Sequence, residues 1–567
     1  MPHRLTPLRA VALSISLLAG YPVMAEPAGA YLAARAATQD DNFQAAITYY
    51  DRLLDEGLAD MGIADSALTA HIALGDYDGA VAIAKTLAAQ PDAAQGVALT
   101  LLAQAARDGD YAKGLQLLDE SKSVGPLFAG LYRAWALVGE GNMSDAVSEF
   151  DKVGKLQGLD GFAMYHKALA LAQVGDYEGA EKILSGASKD IIHNTRRGVM
   201  THIQVLSHLE RDGDAIALLD DTFDGDLDPE LEAVRAKLEA GEVLTFDMAR
   251  DAREGIAELY FSIGAALTGD VPQTVPLVHA RLAQWLNPAH ADAILLTASM
   301  LDQQGQYDLA IQAYDEIPED NAIFFAAQMG RADALVKADR AQEATDVLNA
   351  LVQADPDLPG VWLALGDVER RQQHFDKAAQ AYAKALDRIT DPDPSDWFVF
   401  YAAGIADERS GNWERAESEL KKALELNPGQ PSVLNYLGYS YVQKGENLEA
   451  ALEMIKEAVE AEPDSGYIVD SLGWALFQLG RYDEAVVQME RAIELESVDP
   501  LVNNHLGDAY WAVGRKREAL FQWQRAISFG PGDDVDMERV QRKIDIGLDA
   551  VRAEEGAVPL SEVGQPR

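Results

Sequence analysis

Ten histidines are the first residues to weigh for chemistry, and they stand singly along the chain. The closest two, His202 and His208, lie six apart, which does not bring both to one helix face for a metal. A zinc-protease helix needs a spacing of four and a Glu directly after the first His, and Ile203 stands there instead. Asp220, Thr222, Asp224, Gly225, Asp226 and Asp228 alternate oxygen ligands around a glycine like a calcium loop. The twelfth place, where such a loop needs a bidentate glutamate, holds Leu231. Carboxylates number 92, so a pair of them alone carries no acid–base signal. Cysteine is absent, which excludes disulfides, thiolate metal sites, a cysteine nucleophile and lipid attachment through a cysteine. No glycine-rich phosphate loop follows a predicted strand, and no strand is predicted. We expect no catalytic residue, no metal and no cofactor.

The charge narrows the partners. Against 47 Lys and Arg stand 92 Asp and Glu, for a net of −45 over 567 residues. A polyanion of this size repels nucleic acid and anionic headgroups, so DNA or RNA binding by the bulk of the chain is excluded. From Pro500 to Arg567 the balance is 11 acidic to 9 basic residues, so nearly all the excess lies before it. Arg515, Lys516, Arg517, Arg525, Arg539, Arg542 and Lys543 make this end the one place able to meet an acidic partner or a membrane surface. Residues 1–25 read as an export signal. His3, Arg4 and Arg9 precede a short apolar run from Ala10 to Gly20, and Val23-Met24-Ala25 offers small residues at a cleavage site. That run is too short to span a bilayer, and no later segment is apolar enough to do so. We expect cleavage after Ala25, no integral membrane segment in the mature chain, and a periplasmic or secreted protein.

The elements that would carry any site are set by a repeat. A small residue recurs at Ala46, Ala80, Gly114, Ala146, Ala180 and Ala215, and again at Ala310, Ala344, Ala378, Ala416, Ala450, Ala485 and Ala519, mostly 34 residues apart. Turns stand in phase with it, at Gly75-Asp76-Tyr77, Gly109-Asp110-Tyr111, Gly175-Asp176-Tyr177, Gly305-Gln306-Tyr307, Gly411-Asn412-Trp413 and Gly480-Arg481-Tyr482. A glycine there takes the left-handed conformation that stops a helix. Another small residue comes before the ladder at Gly366, Gly404, Gly438, Gly473 and Gly507, and Pro288, Pro356, Pro428 and Pro531 follow the second helix. Two helices of three to four turns with two short loops fill about 34 residues. Small residues fall where the helices cross, and apolar positions such as Leu434, Leu437 and Tyr441 face the next pair. One pair cannot hide its apolar face alone, so pairs stack into a superhelix with a concave inner wall.

Leu472-Gly473 followed by Gly480-Arg481-Tyr482-Asp483-Glu484-Ala485 resembles the tetratricopeptide-repeat (TPR) consensus, as does the set Trp362, Leu365, Gly366, Phe375, Ala378, Tyr382 and Ala385. The resemblance runs from Gly29 to Pro531. It implies an all-α, right-handed superhelical solenoid of about 13–14 helix pairs. The ladder breaks between Ala215 and Ala310, where one degenerate pair with Tyr260, Ile263, Gly264, Ala283 and Pro288 has Pro276 at its ladder position. We therefore expect an N-terminal array over 26–222, an irregular linker over 223–253, a C-terminal array over 254–532, a capping helix over 533–553 and a disordered tail over 554–567. Repeats fill nearly the whole chain and leave no room for a catalytic domain, so we expect a protein that is not an enzyme.

The first helix of each pair makes the concave wall. In the C-terminal repeats the residues turned inward are Phe398, Tyr401, Tyr439, Tyr467, Trp474, Phe477 and Trp511, with Asn435, Asp470, Asn504 and Asp508 between them. Rings offer contact area at small entropic cost and amides can bond a peptide backbone, so this face is the expected groove for a protein or peptide. The Lys and Asn set with which some TPR proteins clamp a C-terminal carboxylate is not evident. The runs Asn435-Tyr436-Leu437-Gly438-Tyr439, Asp470-Ser471-Leu472-Gly473-Trp474 and His505-Leu506-Gly507-Asp508 resemble alphaproteobacterial envelope TPR proteins. That resemblance implies a periplasmic scaffold or adaptor that presents envelope proteases or cell-wall enzymes to their substrates. The alternative is a structural subunit of an envelope export or polysaccharide-assembly complex.

Overall fold

The computed structural model describes residues 25–563, apart from 58–60, 89, 91–92, 122, 189–191, 194, 224–226, 228, 322 and 533–534. The expected export signal lies outside the described residues up to residue 24, and so does most of the calcium-like loop. Of that loop, Asp220 pairs with Arg235 at 2.7 Å, and Leu231 is buried among Leu219 and Leu238 as part of the core.

A left-handed residue ends the first helix of many pairs, and in three of them a glycine there is followed by an aspartate cap. Gly75 stops its helix at φ +76°, and the Asp76 carboxylate then accepts from the Gly79 N–H at 3.1 Å to start the next. Asp110 and Asp176 cap Lys113 and Gly179 in the same way, at 2.9 Å each. The first six pairs are α1 (Ala25–Gln39) with α2 (Phe43–Asp55), α3 (Met61–Ala73) with α4 (Tyr77–Leu87), α5 (Gln95–Arg107) with α6 (Tyr111–Glu120), α7 (Pro126–Gly139) with α8 (Met143–Val153), α9 (Asp160–Gln173) with α10 (Tyr177–Leu184), and α11 (Arg196–His208) with α12 (Asp212–Phe223). A lone helix α13 (Pro229–Glu239) follows, then the degenerate pair α14 (Ala252–Leu267) and α15 (Thr274–Leu286). Regular pairs resume with α16 (Ala291–Gln303) and α17 (Tyr307–Asp315), α18 (Phe324–Lys337) and α19 (Ala341–Ala354), α20 (Pro359–Arg371) and α21 (Phe375–Leu386), and α22 (Trp397–Arg409) and α23 (Trp413–Leu426). The last are α24 (Pro431–Lys444) with α25 (Leu448–Ala461), α26 (Gly466–Gln478) with α27 (Tyr482–Leu495), and α28 (Pro500–Ala512) with α29 (Lys516–Phe529). Two short helices, α30 (Met537–Ile546) and α31 (Leu548–Glu554), end the order. The fold is all-α, and no strand occurs among the described residues. Four helices stop two residues before the prolines that mark them, α15, α19, α23 and α29.

The ladder residues are the crossing points. Ala80, Ala146, Ala180, Ala378, Ala416, Ala485 and Ala519 are fully buried. Opposite them, a β-carbon on Gly473 would stand 2.5 Å from the Met489 side chain, and one on Gly507 would overlap the Trp523 indole. Pro276 holds the crossing place in the degenerate pair, with its carbonyl 3.3 Å from where a Gly264 β-carbon would sit. One rung moves. Ala450 is exposed and Ala451 is the fully buried residue against Gly438, because α24 runs one residue longer than α26 or α28 before its turn.

The chain divides into two compact units, Met1–Ala344 and Thr345–Arg567. Repeat spacing draws the boundary at 223–253, but α14 and α15 pack on α3, α5, α7 and α9 and so sit within the first unit. The expected single capping helix is two, broken at Gly547 (φ +86°), where the Trp511 ring leaves no room for a β-carbon. Nor is all of 554–567 disordered. Leu560–Glu562 form a 3-10 turn, and the Leu560 carbonyl accepts from the Tyr482 hydroxyl at 2.7 Å.

Gly507→Ala and Gly473→Ala test the crossings by chemical denaturation of the full chain. Both should destabilise the second unit, and Gly507→Ala should cost more, about 2–3 kcal/mol, because a rigid buried indole cannot yield as a methionine chain can.

Candidate functional site

In the second unit the first helices of successive pairs are α20, α22, α24, α26 and α28. Residues three, four and seven apart share one face of such a helix. Each inward residue therefore recurs from pair to pair: Tyr401, Asn435, Asp470 and Asn504 hold one register position, and Tyr439, Trp474 and Asp508 another, one turn on. Phe398 and Tyr467 are the most open, at 43% and 54% exposure. Tyr401, Asn435, Tyr439, Trp474 and Trp511 are half-buried, whereas Asp470, Phe477, Asn504 and Asp508 are buried. The rings make two clusters. Tyr401 meets Trp397, Phe398 and Tyr436, with centroids 6.0–6.3 Å away. Trp474 lies stacked between His505 at 4.0 Å and Phe477 at 5.0 Å. The Tyr439 hydroxyl accepts from Gln443 Nε2 at 2.6 Å.

The polar members of this face differ in how they are satisfied. Asp470 Oδ2 pairs with His505 Nδ1 at 2.7 Å, but its Oδ1 has no hydrogen-bond partner among the described residues. Asn435 Oδ1 and Trp474 Nε1 are likewise buried and without a partner. One pair later the corresponding groups are filled by the chain itself. Lys543 of α30 is wholly buried, with Nζ 2.7 and 2.8 Å from the two Asp508 oxygens and 2.9 Å from Asn504 Oδ1. Three acceptors for three N–H bonds describe an ammonium. Burial lowers its pKa, and the attraction of Asp508 offsets this only in part. Trp511 Nε1 donates to Asp549 at 2.9 Å, and Gly547 lies on its ring.

Three of the eleven expected groove residues, Asn504, Asp508 and Trp511, are thus covered by the C-terminal helices, and Phe477 lies buried beneath Trp474 and Tyr482. Phe398, Tyr401, Asn435, Tyr439, Tyr467, Asp470 and Trp474 remain as the facing set. Much of the basic C-terminal end is paired within the unit, Lys543 in its interior and the others at its surface. Arg515 pairs with Glu490, Arg539 with Glu555, Arg542 with Glu554, and Arg525 donates to the Ser497 carbonyl.

In the first unit the corresponding face of α3, α5, α7 and α9 is covered. Helices α14 and α15 lie on the first helices of successive pairs. Tyr260 donates to the Leu99 carbonyl at 2.6 Å, Arg281 to the Ala73 carbonyl at 2.9 Å and Tyr77 to the Arg281 carbonyl at 2.9 Å. A buried charge cluster joins them. Glu258 accepts from Tyr165 at 2.8 Å and from Arg197 at 2.7 and 3.0 Å, with His290 Nε2 at 3.0 Å. Burial works to raise the Glu258 pKa, but Arg197 and His290 outweigh it and hold the carboxyl well below its ordinary range. Beside this cluster the stretch from Val243 to Ala249 runs extended along α11. The Leu244 N–H donates to Ser207 Oγ at 3.0 Å, Gln204 Nε2 donates to Asp247 at 2.8 Å, and Leu244, Phe246 and Met248 turn alternately inward. This is how an extended peptide lies on a helical surface, with the chain as its own ligand. Sequence reasoning passed it over, although its signal was present: period-two alternation after a helix, then a helix α15 buried on every side from Pro276 to Leu286.

Two predictions concern charges in the second unit. Lys543→Ala leaves Asp508 buried and unpaired, so the unfolding free energy should fall by about 3–5 kcal/mol, as read by urea titration. The other concerns Glu419 of α23, whose pKa is raised to about 8 by burial and by the nearby Asp407, against the pull of Arg415. A raised carboxyl binds its proton more tightly in the folded chain. Its contribution is therefore whole below about pH 4.5, the unfolded value, and is lost as pH rises through 8. The urea midpoint of the second unit should fall between pH 5 and 9 in the wild type. In Glu419→Gln that fall should be smaller; an unchanged slope refutes the assignment.

Residues 281–535 match the family model described as "Tetratricopeptide repeat". Over 137 residues the chain is 29% identical to the general transcriptional corepressor ssn6 of Schizosaccharomyces pombe, a match that takes in 24% of this chain and 12% of that protein. The solved Cut9–Hcn1 hetero-tetramer of the APC/C aligns over 93% of this chain and 97% of its own, at 14% identity and a TM-score of 0.37. A tetratricopeptide-repeat protein from Parabacteroides merdae aligns over 46% of this chain and 98% of its own, at 14% identity and a TM-score of 0.38. Residues 281–535 are thus tetratricopeptide repeats, and fully buried small residues recur at the same spacing before them, at Ala80, Ala146 and Ala180.

Proposed function

We propose that this protein is a periplasmic adaptor that holds a partner protein on the inner face of α22, α24 and α26. Its repeats make it a protein-interaction scaffold. The observation that carries the finer reading is the contrast between the two inner faces. That of the first unit is bonded to the chain's own α14, α15 and extended segment, whereas in the second unit Phe398 and Tyr467 present ring surface toward solvent and Trp474 is half-buried beside them. Exposed aromatic rings in a groove are what an interaction site needs, since they bury large area for little lost rotamer freedom. The export-like first 25 residues and the absence of cysteine support a periplasmic location. Resemblance to envelope TPR proteins supports proteases or cell-wall enzymes, or their substrates, as the partners.

Affinity capture from an envelope extract of the source cells tests the reading, with the wild-type chain as bait beside a Tyr467→Ala, Trp474→Ala double variant. The wild type should retain a partner that the variant loses by at least about tenfold. Equal recovery by both baits excludes the groove. N-terminal sequencing of the exported protein should begin at Glu26; an intact N-terminus there, or retention in the cytoplasm, excludes the location. Native size analysis separates an adaptor from a permanent structural subunit, because only the adaptor also runs near its own mass.

A further inference from the structure

We infer that the groove of the second unit selects its partner through a cationic side chain, a lysine or arginine seated between Asn435 Oδ1 and Asp470 Oδ1. The inference rests on the groove being the binding face and adds what the face would recognise. The protein carries its own example of such a contact. Asn504 and Asp508 on α28 hold the Lys543 ammonium with one amide oxygen and one carboxylate. On the two preceding first helices, the amide oxygen of Asn435 and the free carboxylate oxygen of Asp470 occupy the register position of Asn504. Helices α24 and α26 pack directly against each other, so the two residues hold one register position on neighbouring helices.

Neither oxygen has a donor among the described residues, and Asp470 is 3% exposed. Leaving a buried acceptor unpaired costs about 1–3 kcal/mol, more for a charged one, so such atoms call for an explanation. A bound donor supplies one. His505 bonds only the other Asp470 oxygen, and a cationic donor suits the free one better than a neutral hydroxyl or amide, because a charge-assisted hydrogen bond to a carboxylate is the stronger kind. The surroundings suit an aliphatic stem with a cationic tip. Trp474 lies beside Asp470 with its face packed on His505 and Phe477, and Tyr467 offers an exposed ring one turn back on α26. The unpartnered Trp474 Nε1 can donate to a carbonyl of the same bound segment.

A synthetic nonapeptide, Ser-Gly-Leu-Gly-Lys-Gly-Leu-Gly-Ser, titrated into the full chain tests this by tryptophan fluorescence, with Trp474→Phe assigning the signal. The same peptide with Nε-acetyl-lysine is the comparison, and 0.3 M sodium chloride suppresses general attraction to the polyanion. The lysine peptide should bind at least about tenfold more tightly than the acetylated one. Asn435→Leu and Asp470→Asn should each erase that difference, while Asp464→Asn, at an exposed loop position, should keep it. Asn435→Leu removes an atom without a partner, so it should keep the wild-type urea midpoint and remains informative if Asp470→Asn disturbs His505. Equal affinity for the two peptides, or a preference that survives Asn435→Leu, overturns the inference. If both peptides bind equally and Tyr467→Ala with Trp474→Ala abolishes binding, the groove stands as a peptide site and only its preference for a cation falls. If neither binds at about 1 mM, the cation site is likewise refuted, and capture of a partner decides the groove separately.

Discussion

Two helices that cross at a glycine and an alanine come close enough that a partner side chain such as Met489 or Trp523 fills the place of the missing β-carbon, and they hide only the side chains between them. The outer apolar positions of each pair, such as Leu437 and Tyr441 in the second unit, are buried only when the next pair arrives. Stability is therefore passed from neighbour to neighbour, and every pair depends on the one after it. The crossing distance fixes this arrangement. It demands Gly473 and Gly507 where Met489 and Trp523 press in, and it leaves the first helices lined up with like positions facing the same way.

An array built so has two exposures to resolve, its end and its inner face. The second unit resolves its end with α30 and α31, and it does so electrostatically as well as by packing. Lys543 supplies the cation for the buried Asp508 carboxylate, which also accepts from the Trp523 indole, and it donates to the Asn504 amide oxygen, while Trp511 and Tyr482 bond the segments that follow. The first unit resolves its inner face by folding a helix pair and an extended segment onto it. The extended segment is held by side-chain bonds to its backbone and by alternate apolar residues, which are the means by which a groove of this kind holds a peptide from another molecule. Within one chain, the same type of surface appears once as a wall bonded to its own sequence and once as a face of rings and unpaired oxygens.

The distribution of charge follows from these closures. A chain with nearly twice as many acids as bases spends many of its bases internally. Arg197 holds Glu258 and Asp292, and Arg515, Arg539 and Lys543 hold Glu490, Glu555 and Asp508. The basic C-terminal end, which composition alone marks as a surface for acidic partners, is thereby mostly absorbed into the fold.

The sequence alone determined what is local or periodic: the helix pair, its crossing residues, its glycine-and-aspartate turns and the all-helical fold. Each depends on residues within one repeat, where φ > 0 at Gly75 or the missing β-carbon of Gly473 leaves few alternatives. Rings and amides recurring at repeat spacing in the last repeats could be read from the sequence too, and of them Phe398 and Tyr467 are exposed. The extent of the open face could not. Only the tertiary structure decided that Asn504, Asp508 and Trp511 serve the chain's own C-terminal helices, that α14 and α15 belong to the first unit, and that Ala451 rather than Ala450 makes its crossing. The first two rest on contacts such as Tyr77 with Arg281, 204 residues apart, which leave no period in the sequence because they occur once. The third rests on a single added residue in α24, which moves a crossing by one place without disturbing the pattern around it.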